Sequence, residues 1–192
     1  MDGKYIVNHK GTQRLETERL ILRRYTLDDA PAMYANWASD PEVTRYLTWP
    51  AHASVDVTRG VISDWVKQYE RPDVYHWGLE LKATGELIGD IALVRVDDAI
   101  EEGEIGWCMG RAWWGRGLMP EAGRAVLDYL FDAVGFNRVM AKHDVNNPKS
   151  GRAMQKIGML YEGTQRQAGR NNQGIIDHAL YAILKSDTGR HA

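Results

Sequence analysis

The residues whose type and spacing most clearly suggest chemistry are two glycines, Gly115 and Gly117, on either side of Arg116. Because glycine has no Cβ, such a pair lets the backbone turn sharply and approach a ligand closely. Pro120 follows and suits the first turn of a helix. Free amides at a helix N-terminus, together with the helix dipole, stabilise a phosphate or pyrophosphate. The stretch therefore predicts an anion site, although a tight strand-to-helix turn without a ligand would have the same sequence.

The elements on either side of this loop have to position it. The stretch 103–110 predicts a strand, and apolar residues at helical spacing after Pro120 predict a helix that ends at Gly135. Another strand is predicted over 137–145. A strand, a helix and a strand of these lengths form a βαβ unit with parallel strands and a right-handed crossover. A nucleotide-dependent oxidoreductase would need a third glycine where Pro120 stands.

The rest of the chain predicts a mixed α+β (α/β) fold with helices on both faces of one sheet. Residues 15–185 form a single predicted domain, and 1–14 and 186–192 are predicted to be tails, the first of them poorly anchored. The remaining predicted strands cover 19–25, 74–81, 86–95, 159–167 and 175–184. The remaining predicted helices cover 26–38, a short stretch near 44–47 that Asp40-Pro41 opens, Ser54 to Pro72, and Asn147 to Gly158.

Composition excludes several classes of function. The chain has 192 residues and one cysteine, so it cannot form an internal disulfide. Its formal net charge of −2 provides no overall positive potential that would attract nucleic acid. The histidines show no metal-ligand spacing, and no apolar stretch is long enough to span a membrane. The N-terminus also lacks the apolar core of a signal peptide. We therefore expect a cytoplasmic protein that uses no metal and binds neither nucleic acid nor membrane.

Five segments in order carry a recognisable pattern: TERLILRRYTLDDA, GELIGDIAL, EIGWCMGRAWWGRGLMPEA, NPKSGRAMQKIGMLYEG and DHALYAILK. Together they resemble the GNAT superfamily of acetyl-CoA-dependent N-acetyltransferases, in particular the ribosomal-protein N-terminal (alanine) acetyltransferase branch. The resemblance covers residues 15–185. It implies the GNAT fold, a splayed and mostly antiparallel sheet with a central βαβ unit. It also implies acetyl-CoA as the cofactor and a primary amine as the acceptor.

The resemblance assigns cofactor roles to residues of the loop and of the strand before it. In the family, loop amides bind the pyrophosphate and the preceding strand pairs with the pantetheine arm. Two loop positions depart from the family pattern: Trp114 replaces Gln or Arg, and Met119 replaces a small residue. Because the loop contacts are made by backbone amides, the Met119 side chain need only point away from the cofactor. The residues assigned in this way are Trp107, Cys108 and Met109 on the strand, and Trp114, Gly115, Arg116, Gly117, Leu118 and Met119 in the loop.

Asn147 and Ser150 match the Asn-x-x-Ser pattern with which the branch begins its last helix. Capping alone would also explain this pair, so a role toward the cofactor and a purely structural role both stay open. Many GNAT enzymes have a tyrosine further along this helix that protonates the leaving thiolate. Met154 stands at that position here, which leaves Ser150 as the candidate acid.

Glu104 is the candidate general base. It aligns with the acidic residue that this branch uses, and an acceptor ammonium has to lose a proton before its nitrogen can attack a thioester. The alternative for Glu104 is that it is a solvated carboxylate without a catalytic role, like the others in the run DDAIEEGE. A backbone amide near Cys108 or Met109 would stabilise the oxyanion. Cys108 itself is interpreted as a buried strand residue, since the sequence places no activating partner beside it.

The acceptor pocket is the least determined part of the site. Tyr46, Trp49 and Trp77 are the candidate acceptor-binding residues, with core packing as the alternative for each of them. The acceptor is a peptide or a small molecule, and a homodimer is left open. Acetyl transfer by direct attack on the thioester is the favoured function. A non-catalytic acyl-CoA sensor on the same fold is the alternative, against which the presence of Glu104 and Ser150 counts.

Overall fold

The computed structural model of the chain describes residues 7–189, which form an eight-stranded open sheet. The strand order is β1-β2-β3-β4-β5-β6-β8-β7, and every neighbouring pair is antiparallel except β5 and β6. The strands are β1 (Leu15–Glu16), β2 (Leu20–Arg23), β3 (His76–Leu81), β4 (Leu87–Asp97), β5 (Glu102–Met109), β6 (Arg138–Asp144), β7 (Leu160–Asn171) and β8 (Gly174–Leu184).

Within the described part of the chain, five α-helices connect the strands, and two of them continue as π-helical turns. They are α1 (Ala30–Met33), continued by Tyr34–Ala38, α2 (Pro41–Thr44), α3 (Val55–Gln68), α4 (Leu118–Asp128), continued by Tyr129–Val134, and α5 (Pro148–Lys156). Short 3-10 turns cover Leu27–Asp29, Arg111–Trp113 and Lys185–Thr188. Among residues 7–189, no helix combines the length and the apolar character needed to cross a bilayer.

The two faces of the sheet carry separate hydrophobic clusters. Because successive side chains of a strand point to opposite faces, neighbouring residues of β4 belong to different clusters. Ile88 packs in the cluster that includes Val126 of α4, whereas Leu87 packs in the cluster that includes Ile62 of α3. Helices therefore cover both faces, which confirms the predicted fold class.

The predicted elements are present with shifted bounds. The short strand β1 was not predicted. The second helix begins at Pro41, as the predicted opening at Asp40-Pro41 requires, but it ends at Thr44 and does not reach 47. The seventh strand was predicted to end at 167, but it runs to Asn171 because β7 and β8 pair up to their turn at Asn171–Gly174. Gly135 has a φ of 94° and ends the helical segment after α4, as its sequence position predicts.

The segment before β1 is irregular, but the prediction that it is poorly anchored was wrong for the described residues 7–14. The Thr12 hydroxyl donates to the carbonyl of Val74 (2.9 Å) and accepts from the amide of His76 (2.9 Å). The indole of Trp77 donates to the carbonyl of Gln13 (2.6 Å). This part of the chain therefore satisfies polar groups beside β3. Residues 1–6 and 190–192 of the predicted tails lie outside the described residues.

The central parallel pair is where the sheet opens. β5 pairs with β6 only through Glu102, Gly103 and Glu104. Beyond Glu104, β5 stays paired with β4 up to Met109, and β6 stays paired with β8 up to Asp144. The two strands therefore diverge and leave a gap between their carboxyl ends. The loop that carries Gly115 and Gly117 lies at this end of the sheet, since it follows β5 directly.

Candidate active site

Two cavities meet in the gap between β5 and β6. The first, of about 680 Å³, reaches the glycine loop and the start of α5, and we call it the loop cavity. The second, of about 900 Å³, is lined by residues of β3, β4, β5 and β6, and we call it the sheet cavity. The residues that line both cavities are Tyr46, Leu47, Trp107, Cys108, Asn147 and Ser150. Two ligands, one in each cavity, would therefore meet at this junction.

The glycine loop has the conformation that its sequence predicts. Gly115 and Gly117 both have a φ of 76°, in the left-handed region that side chains disfavour. A Cβ on Gly115 would meet no atom within 4 Å, and one on Gly117 would meet only Arg19 Nη2 at 3.7 Å. The conformation, rather than crowding within the protein, is thus what requires glycine. α4 begins directly after Gly117, so the amides of Leu118 and Met119 have no partner within the helix, and both residues line the loop cavity.

Arg19 of the segment before β2 holds this loop in place. Its Nη1 donates to the carbonyl of Arg116 (3.0 Å), and its Nε donates to Glu121 in the first turn of α4 (2.7 Å). The Thr17 hydroxyl also donates to Glu121 (2.5 Å). Burial alone would raise the pKa of Glu121, but the donors of Thr17 and Arg19 outweigh it and lower that pKa. Sequence reasoning missed this clamp, because its members are about 100 residues apart.

All but one of the predicted cofactor-binding residues line the loop cavity. Arg116 does not line it, and its side chain is exposed. Met119 is 8% exposed and packs in the core, as its bulk requires. Lys149 lies over the Trp114 ring at 4.5 Å. The predicted residues that do line the cavity are Trp107, Cys108, Met109, Trp114, Gly115, Gly117, Leu118, Met119, Asn147 and Ser150.

The backbone of β5 presents alternate amides to the gap. The amide of Gly110 donates to the carbonyl of Ile88 (2.9 Å), and the amide of Cys108 lies 3.3 Å from Asp90 Oδ1, so both face β4. Since neighbouring amides of a strand point to opposite sides, those of Trp107 and Met109 face the gap. The Met109 carbonyl accepts a hydrogen bond from the Trp114 indole (2.6 Å). Of the two amides predicted for the oxyanion, only that of Met109 is therefore directed into the gap.

Asn147 is the N-cap residue of α5, as predicted, but its side chain makes no capping hydrogen bond. The helix start is organised by other groups. The amide of Asn147 donates to the carbonyl of Asp144 (2.7 Å), and the Asp144 carboxylate accepts from the amide of Asn146 (2.8 Å). Capping therefore does not account for the Asn147 side chain, which lines both cavities together with Ser150.

Glu104 lines the sheet cavity at the point where β5 and β6 part. The strand begins at Glu102, so Glu104 is its third residue and the last one paired with β6. Its side chain is 8% exposed and forms ion pairs with Lys142 Nζ (3.1 Å) and Arg95 Nε (3.5 Å). The alternative of a solvated surface carboxylate is thereby excluded.

The aromatic residues predicted for the acceptor pocket separate into two groups. Tyr46 and Trp49 line the sheet cavity and are partly exposed. Trp77 is fully buried in the cluster that packs against α4, so the prediction that it contacts the acceptor was wrong. Its neighbour on β3, His76, points to the opposite face of the sheet and lines the cavity instead. Trp65 of α3 also lines the cavity, with its ring centroid 4.1 Å from that of His76.

Cys108 has a partner that sequence reasoning did not find. Its thiol donates to Asp90 Oδ1 (3.0 Å), and Asp90 Oδ2 accepts from His76 Nε2 (3.0 Å). Burial, followed by the charge of Asp90, raises the pKa of the Cys108 thiol well above its ordinary value. A thiol that stays protonated is a poor nucleophile, so this geometry opposes an acetyl-enzyme intermediate.

Comparison with known proteins decides the family. The model for the acetyltransferase (GNAT) domain matches residues 19–160, most of the chain. The chain belongs to the GNAT family of acetyltransferases. It is 34% identical over 171 residues to the N-acetyltransferase YoaA of Bacillus subtilis, covering 89% of this chain and 96% of YoaA. It is 25% identical over 182 residues to the ribosomal protein uS5-alanine N-acetyltransferase of Escherichia coli, covering 91% and 92% of the two chains.

Solved structures agree with this assignment. A GNAT-family acetyltransferase from Bacillus anthracis superposes with a TM-score of 0.80 at 26% identity, over 91% of this chain and 99% of that one. The microcin C7 self-immunity acetyltransferase MccE, solved with acetyl-CoA and AMP, has the same fold at a TM-score of 0.80 and 19% identity, over 88% and 93% of the two chains. As a GNAT acetyltransferase the chain uses acetyl-CoA, and the open amides at the start of α4 suit its pyrophosphate.

The free side chain of Asn147 leads to a prediction for Asn147→Ala. An N-cap side chain that makes its hydrogen bond contributes about 1 kcal/mol to the free energy of unfolding. Because Asn147 lacks that bond, its truncation should cost much less stability. We expect an unchanged midpoint of chemical unfolding and an acetyl-CoA affinity about tenfold weaker by calorimetry, the loss of about one hydrogen bond. Ser54→Ala is the matched control, because Ser54 does cap α3 through the amide of Val57 (3.4 Å). Lower stability with normal affinity in Asn147→Ala would instead show a purely structural cap.

The hydrogen-bonded thiol leads to a prediction for Cys108→Ser. A serine hydroxyl can still donate to Asp90, whereas it cannot replace a thiol that carries the acetyl group. We expect the variant to keep turnover within about tenfold of the wild type, because direct attack needs no enzyme nucleophile. Free thiol release from acetyl-CoA measures the rate. Loss of turnover together with an acetylated Cys108 peptide in the mass spectrum of the wild type would overturn direct attack.

Proposed function

We propose that the chain transfers the acetyl group of acetyl-CoA to a primary amine, either the N-terminus of a protein or a small-molecule amine, by direct attack on the thioester. The observation that carries this proposal is the junction of the two cavities. The loop cavity holds the cofactor and the sheet cavity receives the acceptor. The two reactants then meet beside Cys108, Asn147 and Ser150, which line both cavities.

Bound acetyl-CoA supplies an activated acyl group, and residues around the junction supply the rest of the chemistry. Glu104 accepts the proton that the acceptor ammonium loses, through a water molecule, from its position at the parting of β5 and β6. The Met109 amide, directed into the gap, donates to the oxyanion as the new C–N bond forms. Ser150 donates to the thiolate sulfur as the C–S bond breaks, since Met154 is 2% exposed and has no proton to give.

The relatives support a protein N-terminus as one class of acceptor. An Escherichia coli relative is named for the alanine of ribosomal protein uS5, and it matches this chain over 91% of its length at 25% identity. The aromatic residues of the sheet cavity would suit a small amine equally well. We therefore propose a primary amine as the class of acceptor, with reaction in the cytoplasm, where acetyl-CoA and ribosomal proteins occur together.

An acceptor screen tests the proposal. The chain is incubated with acetyl-CoA and a panel of N-terminal peptides, polyamines, amino-acid amides and free amino acids. Thiol release is followed, and the products are weighed by mass spectrometry. We expect thiol release that depends on the acceptor, with a mass gain of one acetyl group on an amine. Acetyl-CoA that binds but gives no product with any amine would favour the acyl-CoA sensor.

A further inference from the structure

The sheet cavity contains a carboxylate, Asp90, to which the sequence pattern assigned no role. Asp90 lies on β4 directly opposite Cys108 of β5, and its side chain is 13% exposed. Oδ1 accepts from the Cys108 thiol (3.0 Å), and Oδ2 accepts from His76 Nε2 (3.0 Å). Both oxygens are therefore fixed in direction, and they lie next to the junction at which the two cavities meet.

The partners of Asp90 distinguish it from the other carboxylates of this cavity. Its partners are the Cys108 thiol, the Cys108 amide and the His76 ring, and neither a lysine nor an arginine is among them. Glu104, in contrast, is paired with the cations Lys142 and Arg95. Asp144 is 3% exposed, and its oxygens accept from Asn146 and Asn171 around the turn before α5. Among the described residues that line the cavity, Asp90 is thus the partly exposed carboxylate that pairs with neither a lysine nor an arginine.

The surroundings of Asp90 complete a site for an ammonium group. The Trp65 ring packs against His76 at 4.1 Å, and Tyr46 and Trp49 line the same cavity. Aromatic faces attract cations, most strongly where water is excluded. A carboxylate that no lysine or arginine neutralises adds Coulomb attraction at short range. The same charge repels an acceptor that carries its own carboxylate next to the ammonium, as every free amino acid does.

We propose that Asp90 binds the ammonium group of the acceptor, held by His76 as a positioning residue. The acceptors are accordingly primary amines without an adjacent carboxylate, such as alkylamines and residues whose carboxyl group is in amide linkage, and not free amino acids. This inference rests on the proposed function, because it assumes that the acceptor enters the sheet cavity.

The test compares phenethylamine with phenylalanine, which is the same molecule with a carboxylate beside the ammonium. Binding to the chain with coenzyme A present is measured at pH 8 by tryptophan fluorescence, to which Trp49 and Trp65 in the cavity contribute. We expect the wild type to bind phenethylamine at least tenfold more tightly than phenylalanine. Asp90→Asn should weaken binding of phenethylamine about tenfold or more and leave the acetyl-CoA affinity unchanged.

Asp73→Asn is the matched control, because Asp73 lines the same cavity but is already paired with Arg71 (2.6 Å). It should bind phenethylamine as the wild type does. Equal binding of phenethylamine to the wild type and to a folded Asp90→Asn variant would overturn the inference, and so would tighter binding of phenylalanine. If Asp90→Asn fails to fold, Asp90→Thr replaces it, and the comparison of the two ligands on the wild type still decides.

The titration separates this inference from the proposed function. Binding of the amine is measured without turnover, so it tests Asp90 whether or not an acetyl group moves. Absence of thiol release with every acceptor would count against acetyl transfer alone. Transfer to free phenylalanine as fast as to phenethylamine would count against Asp90 alone.

Discussion

Gly117→Val is expected to weaken acetyl-CoA binding by about ten- to a hundredfold while the chain stays folded. Gly117 has a φ of 76° and directly precedes α4, so a β-branched residue there either rotates the backbone or places its Cβ where the ligand approaches. In both cases, one of the amides aimed at the pyrophosphate is lost. A hydrogen bond to a charged group contributes about 1.5–3 kcal/mol, which corresponds to this range of affinity. Isothermal calorimetry with acetyl-CoA measures the change.

Gly85→Val provides a matched control for backbone strain. Gly85 lies in the turn between β3 and β4, has a φ of 71° and, like Gly115, has no atom within 4 Å of an added Cβ. Both substitutions therefore place valine in the left-handed region at a cost of about 1–2 kcal/mol, and thermal unfolding should show similar losses. Only Gly117→Val should lose affinity for acetyl-CoA. Equal affinities in the two variants would show that the amides at the start of α4 do not hold the cofactor.

The parts of this molecule that the sequence predicts well are those that depend on neighbouring residues. The left-handed glycines of the loop and the stop at Gly135 are both local, because each is set by the conformational preference of one residue. The order and types of the longer strands follow in the same way. The short strand β1 escaped prediction because two residues carry no periodic pattern.

The parts that could not be predicted depend on register and on distance along the chain. Trp77 and His76 are adjacent, and which of them faces the sheet cavity is decided by the pairing of β3 with β2 and β4. The same holds for Asp90, which meets Cys108 only because β4 and β5 pair in one register. Arg19 reaches the loop from 97 residues away. Composition and motifs contain none of this information.

Glu104→Gln is expected to lower turnover at neutral pH by about 10²–10⁴, the usual contribution of a general base. Glutamine has the same shape and can still accept hydrogen bonds from Lys142 and Arg95, but it cannot take up a proton. The affinity for acetyl-CoA should change little, since Glu104 lines the sheet cavity and not the loop cavity. Raising the pH should partly rescue the variant, because more of the acceptor amine then loses its proton to solvent. Thiol release from pH 6 to pH 10 measures both effects.

Glu102→Gln is the control that separates base catalysis from loss of a buried charge. Glu102 precedes Glu104 by two residues on β5, so its side chain lies on the same face of the sheet, and both residues are 6% exposed. Both pair with Arg95, and Glu102 also pairs with Arg138 (2.6 Å), but Glu102 lines neither cavity. The two variants should therefore lose similar stability, while only Glu104→Gln loses turnover in a manner that high pH rescues. If both variants turn over equally across the pH range, Glu104 is a structural ion-pair residue, and the proton leaves the acceptor by another route.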